Sequence, residues 1–233
     1  MSKLHTVGRK VHWNDFEVHT DSNYSMHENK HECLYEDMVE AIFMLLCYAC
    51  SKHQSVRFMR FDVNFSKNEY HHDYMVRFRS FLSHFAKWCS RLEGGAVTPY
   101  YLWAKEKNSG LNPHFHFFLL ICDRKEEEYT SILKKARAIL QTWNHARYEA
   151  TVYFCQEDSN GNKQRNGIFI KQYGKIIENE FRYCFHWATY LAKKRTKECF
   201  ASNTRRYGKS ELPQEVYKAD WLEWFHSQFP LKP

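Results

Sequence analysis

Apolar residues recur along the chain with two periods, and the switches between them mark out the elements. Leu34, Met38, Ile42, Leu45, Leu46 and Ala49 stand at helical spacing and predict a helix over 31–53. Residues 57–65 alternate, with Phe61, Val63 and Phe65 on one face, as a strand with one buried side does. Phe78, Leu82, Phe85 and Cys89 form the stripe of a second helix over 70–92, which Glu93-Gly94-Gly95 stops. A strand over 98–105 and a loop over 107–113 lead into the run Asn112-Pro113-His114-Phe115-His116-Phe117-Phe118-Leu119-Leu120-Ile121. That run alternates and then becomes wholly apolar, and it predicts a strand that closes an antiparallel hairpin with the one before it. Helices follow over 123–146 and 178–195, with short strand-like runs at 151–155 and 167–171 around the turn-rich 158–162. Pro213 is read as opening a last amphipathic helix through Trp221, Trp224 and Phe225 that packs on the core.

The pattern is that of an α+β fold, a central antiparallel β-sheet flanked by helices. Residues 1–30 are polar, lack a clear period and read as an N-terminal arm. The expected division is the arm, a main domain over 31–212 with a leading helix, and a C-terminal amphipathic helix over 213–233. Composition narrows the class. The 233 residues are 43% hydrophobic and 17% aromatic, ample for a packed core, and the net charge of +7 suits nucleic acid as a partner. Met1 to Glu17 has no apolar core of the signal-peptide kind, and the longest apolar run, 41–50, is too short to span a bilayer. The eight cysteines have no framework spacing and read as buried thiols in a reducing cytoplasm; Cys47-Tyr48-Ala49-Cys50 is an isolated Cys-x-x-Cys without a second pair.

Candidate chemistry begins on the His-x-His strand. Residues two apart on a strand share a face, so His114 and His116 present two imidazoles that can share one divalent ion, with Phe115 and Phe117 on the opposite face. A bare His-x-His is more often a surface or cross-strand pair. Glu106 ends the preceding strand, and across the hairpin it can face His114 or its neighbour, giving two imidazoles and one carboxylate on one face with coordination positions left open. Further along, Tyr190-Leu191-Ala192-Lys193 sets a phenol and an ammonium three residues apart on one helical face. A tyrosine can act as a covalent nucleophile toward phosphorus, and a neighbouring lysine can orient the phosphate. Tyr183, two turns earlier, is either a second such group or core. Arg60 and Asp62 read as residues of the sheet rim, Arg60 within reach of DNA and Asp62 of the metal edge or of a loop. Arg205, Arg206 and Lys209 lie in a basic loop over 204–210 that either holds phosphate or is simply solvated.

Taken in order, Phe61-Asp62-Val63, Trp103-x-x-Glu106, Pro113-His114-Phe115-His116, Tyr190-Leu191-Ala192-Lys193 with Lys194-Arg195-Thr196-Lys197 behind it, and Arg206-Tyr207-Gly208-x-Ser210 resemble the HUH endonucleases. The order is most similar to the filamentous-phage (inovirus-type, gene-two-like, YagK/YfjJ-like) replication initiator proteins, over residues 55–212. The resemblance implies an HUH/Rep-like, RRM-like sandwich and a rolling-circle initiator that nicks and joins one DNA strand through a 5′-phosphotyrosine. It implies a divalent metal, Mg or Mn, held by His114, His116 and Glu106. Tyr190 is the implied nucleophile, Lys193 its helper and Tyr183 a candidate second tyrosine. Arg60, Lys194, Arg195, Lys197, Arg205, Arg206 and Lys209 become the cations for DNA. The implied partners are single-stranded DNA at a replication origin and the host helicase and polymerase, with no membrane, in the cytoplasm of a bacterial host. No Walker A motif is present, which is why the helicase comes from elsewhere. Two other functions fit parts of the pattern: an origin DNA-binding protein without chemistry on the same scaffold, and a two-His, one-carboxylate oxygenase, which the predicted helices disfavour.

Overall fold

The computed structural model describes residues 4–7, 10–19, 34–65, 73–91, 99–106, 114–123, 128–141, 150–155, 163, 165–194 and 206–229. Three short strands come first, β1 (Leu4–Val7), β2 (Lys10–Trp13) and β3 (Phe16–Val18), paired as an antiparallel meander. There follow α1 (Glu36–Lys52), β4 (Val56–Phe65), α2 (Asp73–Cys89), β5 (Tyr100–Glu106), β6 (His114–Cys122), α3 (Glu128–Gln141) and β7 (Ala150–Phe154). The chain continues with β8 (Ile168–Gln172), β9 (Lys175–Ile176), α4 (Glu178–Ala188), β10 (Tyr207–Lys209) and α5 (Trp221–Gln228). Strands β4 to β10 form a seven-stranded sheet in the order β10-β5-β6-β4-β8-β9, and β7 joins the same edge of β4 as β8, further along. Every pairing is antiparallel, so the fold is α+β as the periodicity predicts.

The sheet buries both faces, each with its own core. Phe61, Val63, Phe115, Phe117 and Trp103 point to one side and meet Phe78, Phe81 and Phe85 of α2 and Ile132 of α3. Phe78 stacks on Phe115 with ring centroids 3.7 Å apart. On the other side Phe58, Phe118, Leu120 and Leu102 meet α1 and α4. The alternation in β6 thus decides which helix layer each side chain meets, and a one-residue slip would exchange them. The six described cysteines are buried free thiols; Cys47 and Cys50 lie inside α1, and burial pushes both thiols up, which leaves them inert.

Several elements differ from the sequence reading. The segment read as a featureless arm contains the meander, in which Val11, Trp13, Phe16 and Val18 are buried against α1, α4 and α5. Its strands are only three or four residues long, too short for alternation to be recognised. The helix expected over 178–195 ends at Ala188, and Thr189–Ala192 is a 3-10 turn. The Thr189 hydroxyl donates back to the His186 carbonyl at 2.7 Å and accepts from the His19 N–H at 2.8 Å, a side-chain alternative to continuing the helix. The expected basic loop 204–210 instead supplies edge strand β10 on β5, where Gly208 sits so close to the Trp103 indole that a Cβ would approach it to 2.7 Å. Pro213 precedes a 3-10 turn (Gln214–Lys218) rather than the last helix. That helix starts after Asp220, whose carboxylate accepts from the N–H groups of Leu222 and Glu223. Phe225 of α5 packs on Phe16, Phe43 and Phe181, so the helix does lie on the core.

The α1–β4 corner is tied by Asp123, just past β6. Its carboxylate accepts from the N–H groups of Gln54 and Ser55, both at 2.9 Å, and meets His53 Nδ1 at 2.7 Å. Burial opposes the charge, but the Ser55 N–H, the His53 contact and the Gln54 N–H outweigh it and hold the carboxyl below its ordinary value. A carboxyl depressed by folding contributes stability above its unfolded value, and that contribution disappears as pH falls through the folded one. Asp123→Asn is therefore expected to lower the melting temperature at neutral pH and to narrow the gap to wild type below about pH 4. An equal gap at every pH, by thermal denaturation, would contradict this role.

Candidate metal and nucleophile site

The register of three strands assembles the site. Glu106 is opposite His114, Ala104 opposite His116, Asp62 opposite His116 on the other side, and Asn64 opposite His114. Opposed residues share a face, so Glu106, His114, His116 and Asp62 converge on the face that α1 and α4 cover further along. The ligand atoms of Glu106, His114 and His116 lie within 4.8 Å of one another. Glu106 Oε2 is 3.0 Å from His116 Nε2 and 3.9 Å from His114 Nε2. Two ligands about 2.1 Å from an octahedral ion at right angles are about 3 Å apart, which the Glu106–His116 pair matches, while His114 stands wider at 3.9 Å from the same oxygen.

The surroundings of His116 support the same assignment. Asp62 Oδ1 is 2.7 Å from Nδ1, leaving Nε2 for the Glu106 side. A carboxylate on the far nitrogen orients a ligating imidazole and raises its basicity. Both ring nitrogens face carboxylates, and both donate when the ring is protonated. Burial disfavours the imidazolium, but the charges of Asp62 and Glu106 outweigh it and His116 is shifted up. Asp62 is likewise disfavoured by burial, yet His116, and further off Arg60, hold its carboxyl below the ordinary value. Glu106 is 1% exposed and His116 4%, a costly place for ionisable groups unless paired or bound to an ion. The group can therefore hold a metal. Asp62→Asn keeps the shape and removes the negative charge; it is expected to weaken divalent-ion binding 10- to 100-fold, about what loss of such a support costs. Calorimetric titration with Mn²⁺ reads this, and unchanged affinity would remove Asp62 from the site.

Tyr190 comes to this cluster from the 3-10 turn. Its ring centroid is 5.1 Å from that of His116, nearly perpendicular at 83°. Lys193 Nζ lies 3.3 Å from the Tyr190 ring centroid and the Arg60 guanidinium 4.2 Å from it. The turn has three residues per rotation, which brings i and i+3 into line and explains the close Lys193 approach. Lys193 leaves the turn extended, bridged to Leu34, while the Tyr35 N–H donates to the Ala192 carbonyl at 2.8 Å. His19, from the end of the meander, sits edge-on at 5.1 Å. Phenol, ammonium, guanidinium and the histidine pair thus stand along one wall of the site.

The remaining predicted residues divide. Arg60 and Asp62 are not rim residues: Arg60 is 5% exposed and lies over Trp187 and Tyr190, and Asp62 holds His116. Lys194 and Arg206 both approach the ring of Tyr35, each at 5.7 Å, the residue whose N–H anchors the Tyr190 turn. Arg206 also donates to the Tyr35 hydroxyl. Lys209 is directed elsewhere, donating to Tyr217 at 2.7 Å. Tyr183 is not brought to the His pair in the same way. Its hydroxyl accepts from the Arg165 N–H at 3.2 Å, seven residues and so about 10 Å of helix from Tyr190. Arg195, Lys197 and Arg205 lie outside the described residues. Asp62 is the residue of this cluster whose place the sequence pattern undervalues. Its signal, an acidic residue at an inward position of a strand, is interpretable only once the strand's partner and register are known.

An antiparallel α+β scaffold that sets a buried carboxylate and two histidines beside a tyrosine is the class of protein that geometry defines. A family model, the YagK/YfjJ C-terminal domain, matches residues 16–210, and the chain belongs to that family. The match starts within the meander, so the segment read as an arm is partly inside the family domain. No curated protein and no solved structure matches the chain. Among the described residues no helix is long and apolar enough to cross a membrane.

Proposed function

We propose that the chain is a member of the HUH superfamily and cleaves single-stranded DNA with Tyr190 as nucleophile, as a rolling-circle replication initiator acting at an origin in the cytoplasm of a bacterial host. The observation that carries this reading is the convergence of the Glu106–His114–His116 group with Tyr190 and Lys193 on one wall. Those three residues would hold the ion, Mg²⁺ or Mn²⁺, with Asp62 orienting His116. A divalent ion bound there would offset negative charge on the phosphate. The Tyr190 oxygen forms a bond to phosphorus as the phosphorus–O3′ bond breaks. The phenol gives up its proton and the departing 3′ oxygen gains one, leaving a 5′-phosphotyrosine and a free 3′-hydroxyl. Lys193 and Arg60 bring cationic charge to the phenol and the phosphate entering beside it. Lys194 and Arg206 extend the positive edge toward the strand's backbone.

The test is incubation of the protein with a 3′-labelled pool of randomised single-stranded DNA and Mg²⁺ or Mn²⁺, followed by denaturing electrophoresis. Label that stays with the protein in detergent, and is lost when a chelator is present, is the expected result. Binding without any covalent retention would favour an origin-binding protein without chemistry on the same scaffold.

A further inference from the structure

Exposure across the site is graded from one end to the other. The row Ala104, His116, Asp62, Tyr153 crosses β5, β6, β4 and β7 in register. Ala104 and His116 are buried, Asp62 is partly open, and Tyr153 is 47% exposed. The adjoining row repeats it: Glu106 is buried, His114 and Asn64 are partly open, and Thr151 is exposed. Val152 and Phe154 alternate with these and point into the opposite core, so β7 is fixed in place while Tyr153 and Thr151 face the site side. Among the described residues the Tyr153 side chain has no hydrogen-bond, ionic or ring partner. An unpaired aromatic side chain thus stands at the open end of a row whose closed end is the His116–Glu106 pair.

We propose that Tyr153 is a base-stacking platform of the same site, receiving a nucleobase of the single-stranded DNA that passes over β7; this rests on the DNA-cleaving reading above. Base–aromatic stacking is largely sequence-tolerant because every base offers a π face. Two strand spacings separate Tyr153 from His116, about 10 Å. Since stacked nucleotides advance about 3.4 Å along one strand, the stacked base lies within about three nucleotides of the scissile phosphate. Flanking Thr151 and Asn64 supply small polar groups, so among the described residues the ring is the large apolar surface offered to a base at this edge.

The experiment measures fluorescence anisotropy of a labelled 20-nucleotide oligothymidylate and of a 20-unit abasic sugar-phosphate strand. The proteins are wild type, Tyr153→Ala, Tyr153→Phe and Tyr173→Asn, the last at an exposed tyrosine on the β8–β9 turn, beyond the opposite end of β4. Tyr153→Ala is expected to weaken oligothymidylate binding about tenfold, in the range for loss of one stacking aromatic, and to leave abasic binding unchanged. Tyr153→Phe and Tyr173→Asn are expected to bind both strands as wild type does. Photo-crosslinking through 5-iododeoxyuridine in the thymidylate strand is expected to label Tyr153. Wild-type binding that Tyr153→Ala leaves intact, or weakens equally for both strands, overturns the platform while the DNA-cleaving reading stands. A wild-type protein that binds neither strand overturns both.

Discussion

Tyr190→Phe is expected to fold as the wild type does and to form no covalent DNA adduct, with cleavage reduced at least about a thousandfold. The ring carries the packing: His116, His19, Lys193 and Arg60 all contact its faces or edges, and phenylalanine preserves that shape. Only the hydroxyl oxygen, the atom that would bond phosphorus, is removed. Thermal denaturation and circular dichroism check the fold, and detergent-stable retention of labelled DNA checks the chemistry. Tyr183→Phe makes the comparison sharp. Its hydroxyl is held at the Arg165 N–H, so the first cleavage is expected to survive its loss. An adduct that persists in Tyr190→Phe and vanishes in Tyr183→Phe would reverse the assignment.

The second large effect is expected from the histidines. His114→Ala with His116→Ala removes two of the three converging donors and leaves Glu106 buried without the imidazole now 3.0 Å from it. Mn²⁺ binding and cleavage are expected to fall below detection. Binding to single-stranded DNA at low salt is expected to persist, because contacts to phosphate from basic residues supply most of that affinity. Loss of the buried pair also has a structural cost, since Asp62 and Glu106 would face each other across a cavity, so the variant's melting temperature is part of the measurement. His116→Gln, which keeps hydrogen-bonding capacity, is the control: stability near wild type with metal binding lost separates ligation from support. Full cleavage by the double variant in the presence of a chelator would sink the metal assignment.

What could be read from the sequence follows from the range of each interaction. The Glu106–His114 pairing was visible because a hairpin is local: strand period and loop length nearly fix which residues oppose. The faces of Phe115, Phe117 and the two histidines followed from period alone. Asp62 stays open between the metal edge and a loop, because β4 and β6 meet across 54 positions and only their register, Asp62 against His116, gives the carboxylate its partner. The proximity of Lys193 to Tyr190 was visible from spacing, but the 3-10 turn that creates it depends on Thr189 meeting His19 from 170 positions earlier. The meander escaped because strands of three or four residues give no periodic signal, and their burial comes from α1, α4 and α5 rather than from one another. Tyr153 looked like one residue in a short strand-like run; its meaning comes from β7 lying in register beside Asp62.

The central claim is that Tyr190 attacks DNA beside an ion held by Glu106, His114 and His116. Its most direct test is tandem mass spectrometry of tryptic peptides after reaction with single-stranded DNA, Mn²⁺ and a nuclease digest of the bound strand. Cleavage after Arg182 and Lys193 releases one peptide containing both Tyr183 and Tyr190, and fragmentation tells them apart. The account predicts a nucleotide mass on Tyr190, formed with Mn²⁺ and absent with a chelator. A nucleotide on Tyr183 instead, or one on Tyr190 that forms equally well without metal, would contradict it.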